Sequence, residues 1–217
     1  MSRKAMNTQR ALSVEWDPQC GSLCFRLRTP ERPLTRRGFL GAVWLFFDPP
    51  ELAAPVCLTA KQLPQELCQA DLGWNTPVSE DHSARWHWWL NLIKSIGVAW
   101  YSRLLSPGNF VGVCTPELHV LSDLSETGYG VASYAPFVPN DNWVARRLVF
   151  GKFRFPPLKT VGVPRLELAA TALATRVYKL LIENLPNFSA ATLRTASHIV
   201  LQCISNRSTR FCTFVAN

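Results

Sequence analysis

Two carboxylates stand where a chain could hold a divalent cation. Asp123 closes a short apolar stretch, Leu118 to Asp123, that reads as a strand, and Glu167 falls in the first turn of a long helix that follows Pro164. An acid at a strand end facing an acid at a helix start suits magnesium, which takes one or two carboxylates and completes its shell with water and phosphate oxygens. Two such ions about 4 Å apart can activate a water and stabilise the leaving oxygen of a phosphodiester. The same residues also suit purely structural duties, because strand-end Asp makes turns and first-turn Glu serves the helix dipole. Spacing alone leaves both readings open.

Between the two acids lies a basic stretch laced with aromatics. Arg146, Arg147, Lys152, Arg154 and Lys159 alternate with Phe150, Phe153 and Phe155, and Arg165 follows. From Asn142 to Lys179 there are eight basic residues and a single acid, Glu167. Such a stretch suits a phosphate backbone. It equally suits an ordinary strand with Lys152 and Arg154 in solvent and Phe153 and Phe155 in the core.

The 217 residues carry 23 Lys+Arg against 15 Asp+Glu, a net charge of +8. After Glu183 there is no carboxylate, while Arg194, Arg207 and Arg210 add positive charge. Chemistry that needs acids in those last 34 residues is therefore excluded. A hydrophobic fraction of 47% supports a packed core and argues against a disordered or fibrous chain. The longest apolar run, Phe39 to Phe47, is far short of the ~18 residues of a membrane span. With no signal-peptide core behind Met1 to Arg10, a soluble intracellular protein, cytoplasmic and without a membrane partner, is expected. Seven cysteines are scattered, and Cys20 and Cys24 lack a second ligand pair, so free thiols are expected and no zinc.

The elements that must position these residues follow from periodicity and punctuation. Ser13 to Trp16 and Leu23 to Leu27 read as a small β-hairpin joined by Asp17-Pro18-Gln19-Cys20-Gly21. Thr35 is a natural N-cap for a helix carrying Phe39, Val43, Phe46 and Phe47 and ended by Asp48-Pro49-Pro50. A second helix, Ala53 to Asp71, should be kinked or split by Pro64. A third starts after Ser79 with Glu80 and Asp81 in its first turn and buries Trp86, Trp89, Leu90 and Ile93. Tyr101 to Pro116 reads as a linker. Strands are expected at Leu118–Asp123, Gly128–Val138 and Trp143–Phe155, followed by the long helix with its stripe Leu166, Ala169, Ala170, Leu173, Val177, Leu180 and Leu181. A fourth strand at Ala191–Thr195 and a helix at His198–Ile204 complete a β-β-β-α-β-α order, a mixed α/β pattern.

Three runs carry a resemblance. Leu118-His119-Val120-Leu121-Ser122-Asp123 with its continuation to Gly130, Gly151-Lys152-Phe153-Arg154, and Val163-Pro164-Arg165-Leu166-Glu167-Leu168-Ala169-Ala170 closely resemble the ribonuclease H-like region of BEL/Pao long-terminal-repeat retrotransposon pol polyproteins. The closing Arg210 to Asn217 also fits. Leu12 to Trp16, Thr35 to Gly38, Phe47 to Pro49, Gln65 to Leu67 and Gly73-Trp74 resemble the reverse-transcriptase C-terminal and connection part of the same polyproteins. The resemblance implies three parts: a connection-like region over 1–105, a linker over 106–116, and a C-terminally truncated ribonuclease H-like domain over 117–217. The implied fold is α/β, a mixed sheet whose first three strands are antiparallel, preceded by a mainly helical region with the hairpin.

By the same resemblance Asp123 and Glu167 are the first two catalytic carboxylates of a nuclease that cuts the RNA strand of an RNA–DNA hybrid with magnesium, and other pol polyprotein segments are its partners. Arg146, Arg147, Lys152, Arg154, Lys159 and Arg165 are the implied nucleic-acid contacts. The family's third acid lies in a Thr-Asp-Ser run, and here that run is Thr195-Ala196-Ser197. The fourth acid is expected beyond Asn217. Pro50-Glu51 also stands where the family continues with Leu-Gly. The expectation is a fragment that has lost cleavage, with a non-catalytic basic nucleic-acid-binding remnant as the alternative. Aspartic peptidase chemistry, a label often attached to this region, is rejected. It needs Asp-Thr-Gly or Asp-Ser-Gly turns, and Asp123-Leu124-Ser125 and Glu126-Thr127-Gly128 are neither.

Overall fold

The computed structural model describes residues 9–11, 14–19, 21–25, 31–45, 48, 51, 53–96, 100–102, 115–125, 127–137, 144–157, 161–185 and 188–206. The chain divides into two compact units, Met1–Pro49 with Ala53–Leu104, and Pro50–Leu52 with Leu105–Asn217.

The first unit joins a small sheet to three helices. Strands β1 (Gln9–Ala11), β2 (Val14–Asp17), β3 (Ser22–Phe25) and β4 (Trp100–Ser102) form one antiparallel sheet in the order β1-β2-β3-β4. The expected hairpin is its centre. The outer strands, each three residues long, were not expected, and β4 occupies the start of the segment read as a linker. Helix α1 (Arg36–Val43) is capped by Thr35, whose hydroxyl accepts from Gly38 N. Phe46 and Phe47, expected at its end, lie outside the described residues.

Helix α2 (Ala54–Gln69) runs through Pro64 as one element, so the proline does not split it. Leu63 and Leu67 on either side of Pro64 are fully buried, and their packing outweighs the lost hydrogen bond. Helix α3 (Glu80–Ile96) carries Glu80 and Asp81 in its first turn. Phe39, Leu63, Trp86, Trp89 and Ile93 make the core of this unit, with Phe39 stacked on Trp86 at 4.2 Å. The Trp89 indole donates to the Val56 carbonyl at 3.0 Å, which satisfies its one polar atom inside that core.

The second unit is a mixed four-stranded sheet with two helices. Strands β5 (Leu118–Ser125), β6 (Gly128–Phe137) and β7 (Ala145–Arg154) are antiparallel, and β8 (Ala191–Thr195) lies parallel to β5, giving the order β7-β6-β5-β8. A bulge at Ser133/Tyr134 shifts the β6–β7 register. Helix α4 (Val163–Asn184) lays Leu166, Ala170, Ala174, Val177 and Leu181 on the sheet. Leu118, Val120 and Val131 meet it from below, and each fully buried aliphatic side chain contributes about 1.5–3 kcal/mol. Helix α5 (His198–Ser205) follows β8 and packs against it and α4. The α/β architecture and the β-β-β-α-β-α order are as the sequence led one to expect. Among the described residues, no helix is long and apolar enough to cross a membrane.

Candidate active site

In β5 the buried residues Leu118, Val120 and Ser122 alternate with the exposed Leu121, Asp123 and Ser125. That alternation leaves Asp123 exposed rather than packed in the core. The strand continues to Ser125, so Asp123 lies two residues inside its end and does not close it. Its Oδ1 accepts from Leu124 N at 2.8 Å, and its register partner across the sheet is Gly130.

Helix α4 begins at Val163, with Gly162 as N-cap and Pro164 in the first turn. Glu167 is thus the fifth helical residue and belongs to the second turn, one position on from the expectation. Gly162 caps without a side chain, so the start of the helix carried no polar signal. Leu166 and Ala170, both pinned to the sheet, set the rotation that leaves Glu167 half-buried at the helix flank.

Thr195, Ala196 and Ser197 link β8 to α5. Ser197 N donates to Thr195 Oγ1 at 3.2 Å, and Ser197 Oγ accepts from Val200 N at 3.2 Å as the N-cap of α5. Ser197 itself is buried, at 6% exposure, and its hydroxyl donates to Glu167 Oε2 at 2.6 Å. Ala196 sits between these two anchored residues with its methyl exposed. Ser122 donates to Arg194 O at 3.4 Å and ties β5 to β8 beneath.

Asp123, Glu167, Ala170, Thr195, Ala196 and Ser197 thereby line one open cleft. The fold brings the two sequence-flagged acids together there, from elements more than forty positions apart. Ser197, which the sequence offered only as the neighbour of Ala196, organises the cleft. The signal available was its place before His198, where a serine caps a helix.

The donor set decides what the cleft can hold. Among the described residues there is no group of three or more His, Cys, Asp or Glu side chains able to surround a metal ion. One oxygen of each cleft acid already accepts a hydrogen bond, from Leu124 N on Asp123 and from Ser197 Oγ on Glu167. Two carboxylates with one uncommitted oxygen each fit a single magnesium completed by water and phosphate oxygens. They do not fit a pair of ions, whose combined charge calls for more carboxylate.

The basic residues are more dispersed. Arg146 is exposed and pairs in register with Pro136, on the face of the sheet that carries Asp123. Arg147, Lys152 and Arg154 pair with Ala135, Val131 and Tyr129, the positions of the opposite side. Arg154 is exposed, whereas Lys152 is half-buried with its Nζ 3.0 Å from a Glu51 carboxylate oxygen. Arg147 is half-buried too, and its Nε has no hydrogen-bond partner. Arg165 is exposed in the first turn of α4, and Lys159 lies outside the described residues. Phe153 and Phe155 are half-buried and meet edge to face at 5.2 Å, with Phe153 lying over Gly128, rather than filling the core.

No curated protein matches the sequence. Among solved structures the chain is similar to the foamy viral protease-reverse transcriptase dRH in complex with ds DNA, at 10% identity and a TM-score of 0.32. That match covers 89% of this chain and 34% of the other, so the chain spans about a third of that protein's length. The model of the Pao retrotransposon-like RNaseH-like domain matches residues 35–197, a stretch that holds every residue lining the cleft and ends on Ser197. Three quarters of the sequence thus carry the family's pattern, and the chain belongs to the Pao retrotransposon RNaseH-like domain family.

Proposed function

We propose that this ribonuclease H-like domain of a retroelement pol descends from a nuclease that cuts the RNA strand of RNA–DNA hybrids, and that its cleft binds nucleic acid without cutting it. The exposed Ala196 carries this reading, because by the resemblance it stands at the position of the family's third acid. Asp123 and Glu167 remain to hold one magnesium, which supplies charge neutralisation beside a phosphate. Hydrolysis by the ancestral route calls for two ions, and the donor set does not fit two. The side chains of this chain then do what they can without the second ion. Arg146, Arg154 and Arg165 offer positive charge to a phosphate backbone, and Asp123 and Glu167 mark where the strand would cross the cleft.

The first unit, in this reading, is the connection-like part that precedes the nuclease in the polyprotein, and other pol segments are the partners of both. The test is a labelled RNA–DNA hybrid incubated with the full chain and magnesium, beside the Glu167→Gln variant. The expected result is no cleavage above the variant's background, together with binding that weakens steeply as salt rises. Magnesium-dependent cleavage abolished by Glu167→Gln would overturn the silent cleft. Binding indifferent to salt would remove the nucleic-acid reading altogether.

A further inference from the structure

The hydroxyl of Ser197 is fixed from two sides. It accepts from Val200 N at 3.2 Å, so its lone pair faces the first turn of α5, and Thr195 Oγ1 holds the Ser197 backbone N–H at 3.2 Å. The proton is then left to point at Glu167 Oε2, 2.6 Å away and within the range of charge-assisted O–H···O⁻ bonds. This bond joins α4 to the start of α5 across thirty positions, inside a site where the serine is 6% exposed. Thr171, one turn along α4, donates instead to the Glu167 backbone carbonyl at 3.0 Å and leaves the carboxylate alone.

From this geometry we propose that Ser197 is the positioning residue for Glu167. It occupies Oε2, halts the rotation of the carboxylate, and presents Oε1 to the cleft that Asp123 lines. A glutamate side chain otherwise samples several rotamers, and each binding event would have to order it. The α5 cap therefore serves the cleft as well as the helix. The proposal rests on reading the cleft as the remnant of a cation-binding nuclease site, and it adds the group that keeps one ligand in place.

The experiment follows two signals in the full chain. One is the rotamer distribution of the Glu167 side chain, read by NMR three-bond couplings without metal. The other is Mn²⁺ affinity. Wild type should show one dominant Glu167 rotamer, Ser197→Ala an average over several, and Ser197→Thr the wild-type value, because threonine keeps both the cap acceptor and the donor. Mn²⁺ affinity should fall about fivefold in Ser197→Ala, the worth of one hydrogen bond, and return in Ser197→Thr. Ser197→Gly separates the two duties. Glycine caps almost as well as serine but has no hydroxyl to donate, so α5 should persist while Glu167 averages.

A single Glu167 rotamer in both Ser197→Ala and Ser197→Gly would overturn the proposal. Absence of Mn²⁺ binding from every variant, with the rotamer changes intact, would leave the positioning role standing and discard the cation-site reading on which it was built. Should Ser197→Ala fail to fold, Ser197→Gly and Ser197→Thr decide the matter through the rotamer alone.

Discussion

Replacing Ala196 by aspartate would give the cleft a third acid beside Asp123 and Glu167. The methyl is exposed, so the larger side chain meets no packed neighbour. It precedes Ser197, the N-cap of α5, and a negative charge beside a helix N-terminus is favourable by about 0.3–1 kcal/mol. The variant should therefore fold no worse than wild type. A carboxylate about 4 Å from a divalent ion in a water-like dielectric gains about 2 kcal/mol, and salt screening trims that to roughly a tenfold gain in affinity. The measurement is a Mn²⁺ titration by water-proton relaxation on wild type, Ala196→Asp and the neutral isostere Ala196→Asn. Ala196→Asp should bind about tenfold more tightly than Ala196→Asn, and Asp123→Asn in the same background should cancel the gain. Equal affinity in the aspartate and asparagine variants, with unchanged circular dichroism, would refute the claim that position 196 faces the ion site of Asp123 and Glu167.

Three further outcomes test other parts of the molecule. Arg85 donates two hydrogen bonds to Glu66, at 2.7 and 3.0 Å, and this holds the Glu66 carboxyl below its usual 4.5 against the opposing effect of burial. A lowered folded value stabilises fully above pH 4.5 and loses that contribution as pH falls through the folded value. Glu66→Gln should accordingly flatten the acid dependence of the first unit's urea midpoint, by no more than about 1 kcal/mol because both partners are partly exposed. Gly128→Ala drives a methyl into the Phe153 ring and to 2.8 Å from the Arg154 carbonyl oxygen, so the second unit should lose about 1–3 kcal/mol in denaturant melts. Adding Phe153→Ala should not restore it fully, since the carbonyl remains. In duplex binding, Arg146→Ala and Arg154→Ala should each lower the slope of log affinity against log salt by about 0.9. Lys152→Ala should lower it less, because its ammonium already faces Glu51.

Which features could be read in advance follows from how local their causes are. The stripe along α4 and the alternation in β5 repeat over enough residues to declare themselves, and both elements lie where periodicity put them. Strands β1 and β4 are three residues each, too short for any alternation to register, and their existence depends on pairing with β2 and β3. Of the two outcomes expected at Pro64, a kink or a split, the split is absent because the burial of Leu63 and Leu67 opposes the helix-breaking cost. The ion pair between Lys152 and Glu51 was equally out of reach, since the partners stand a hundred positions apart.

The Thr195-Ala196-Ser197 turn shows why the residue at 196 can change while the cleft keeps its shape. Thr195 accepts from the Ser197 backbone, and Ser197 caps α5 and holds Glu167, so both flanking residues carry structural duties that a mutation would disturb. Position 196 carries none of these, because its side chain is exposed and a methyl there makes no hydrogen bond. A carboxylate at that point would act only on what enters the cleft. Its replacement therefore costs the fold almost nothing, whereas loss of Ser197 removes a helix cap worth about 1 kcal/mol and releases Glu167 as well. Selection for folding alone would preserve Thr195 and Ser197 and be indifferent to 196. On the proposed reading, two hydroxyls around a methyl at 196 are what that indifference would leave behind.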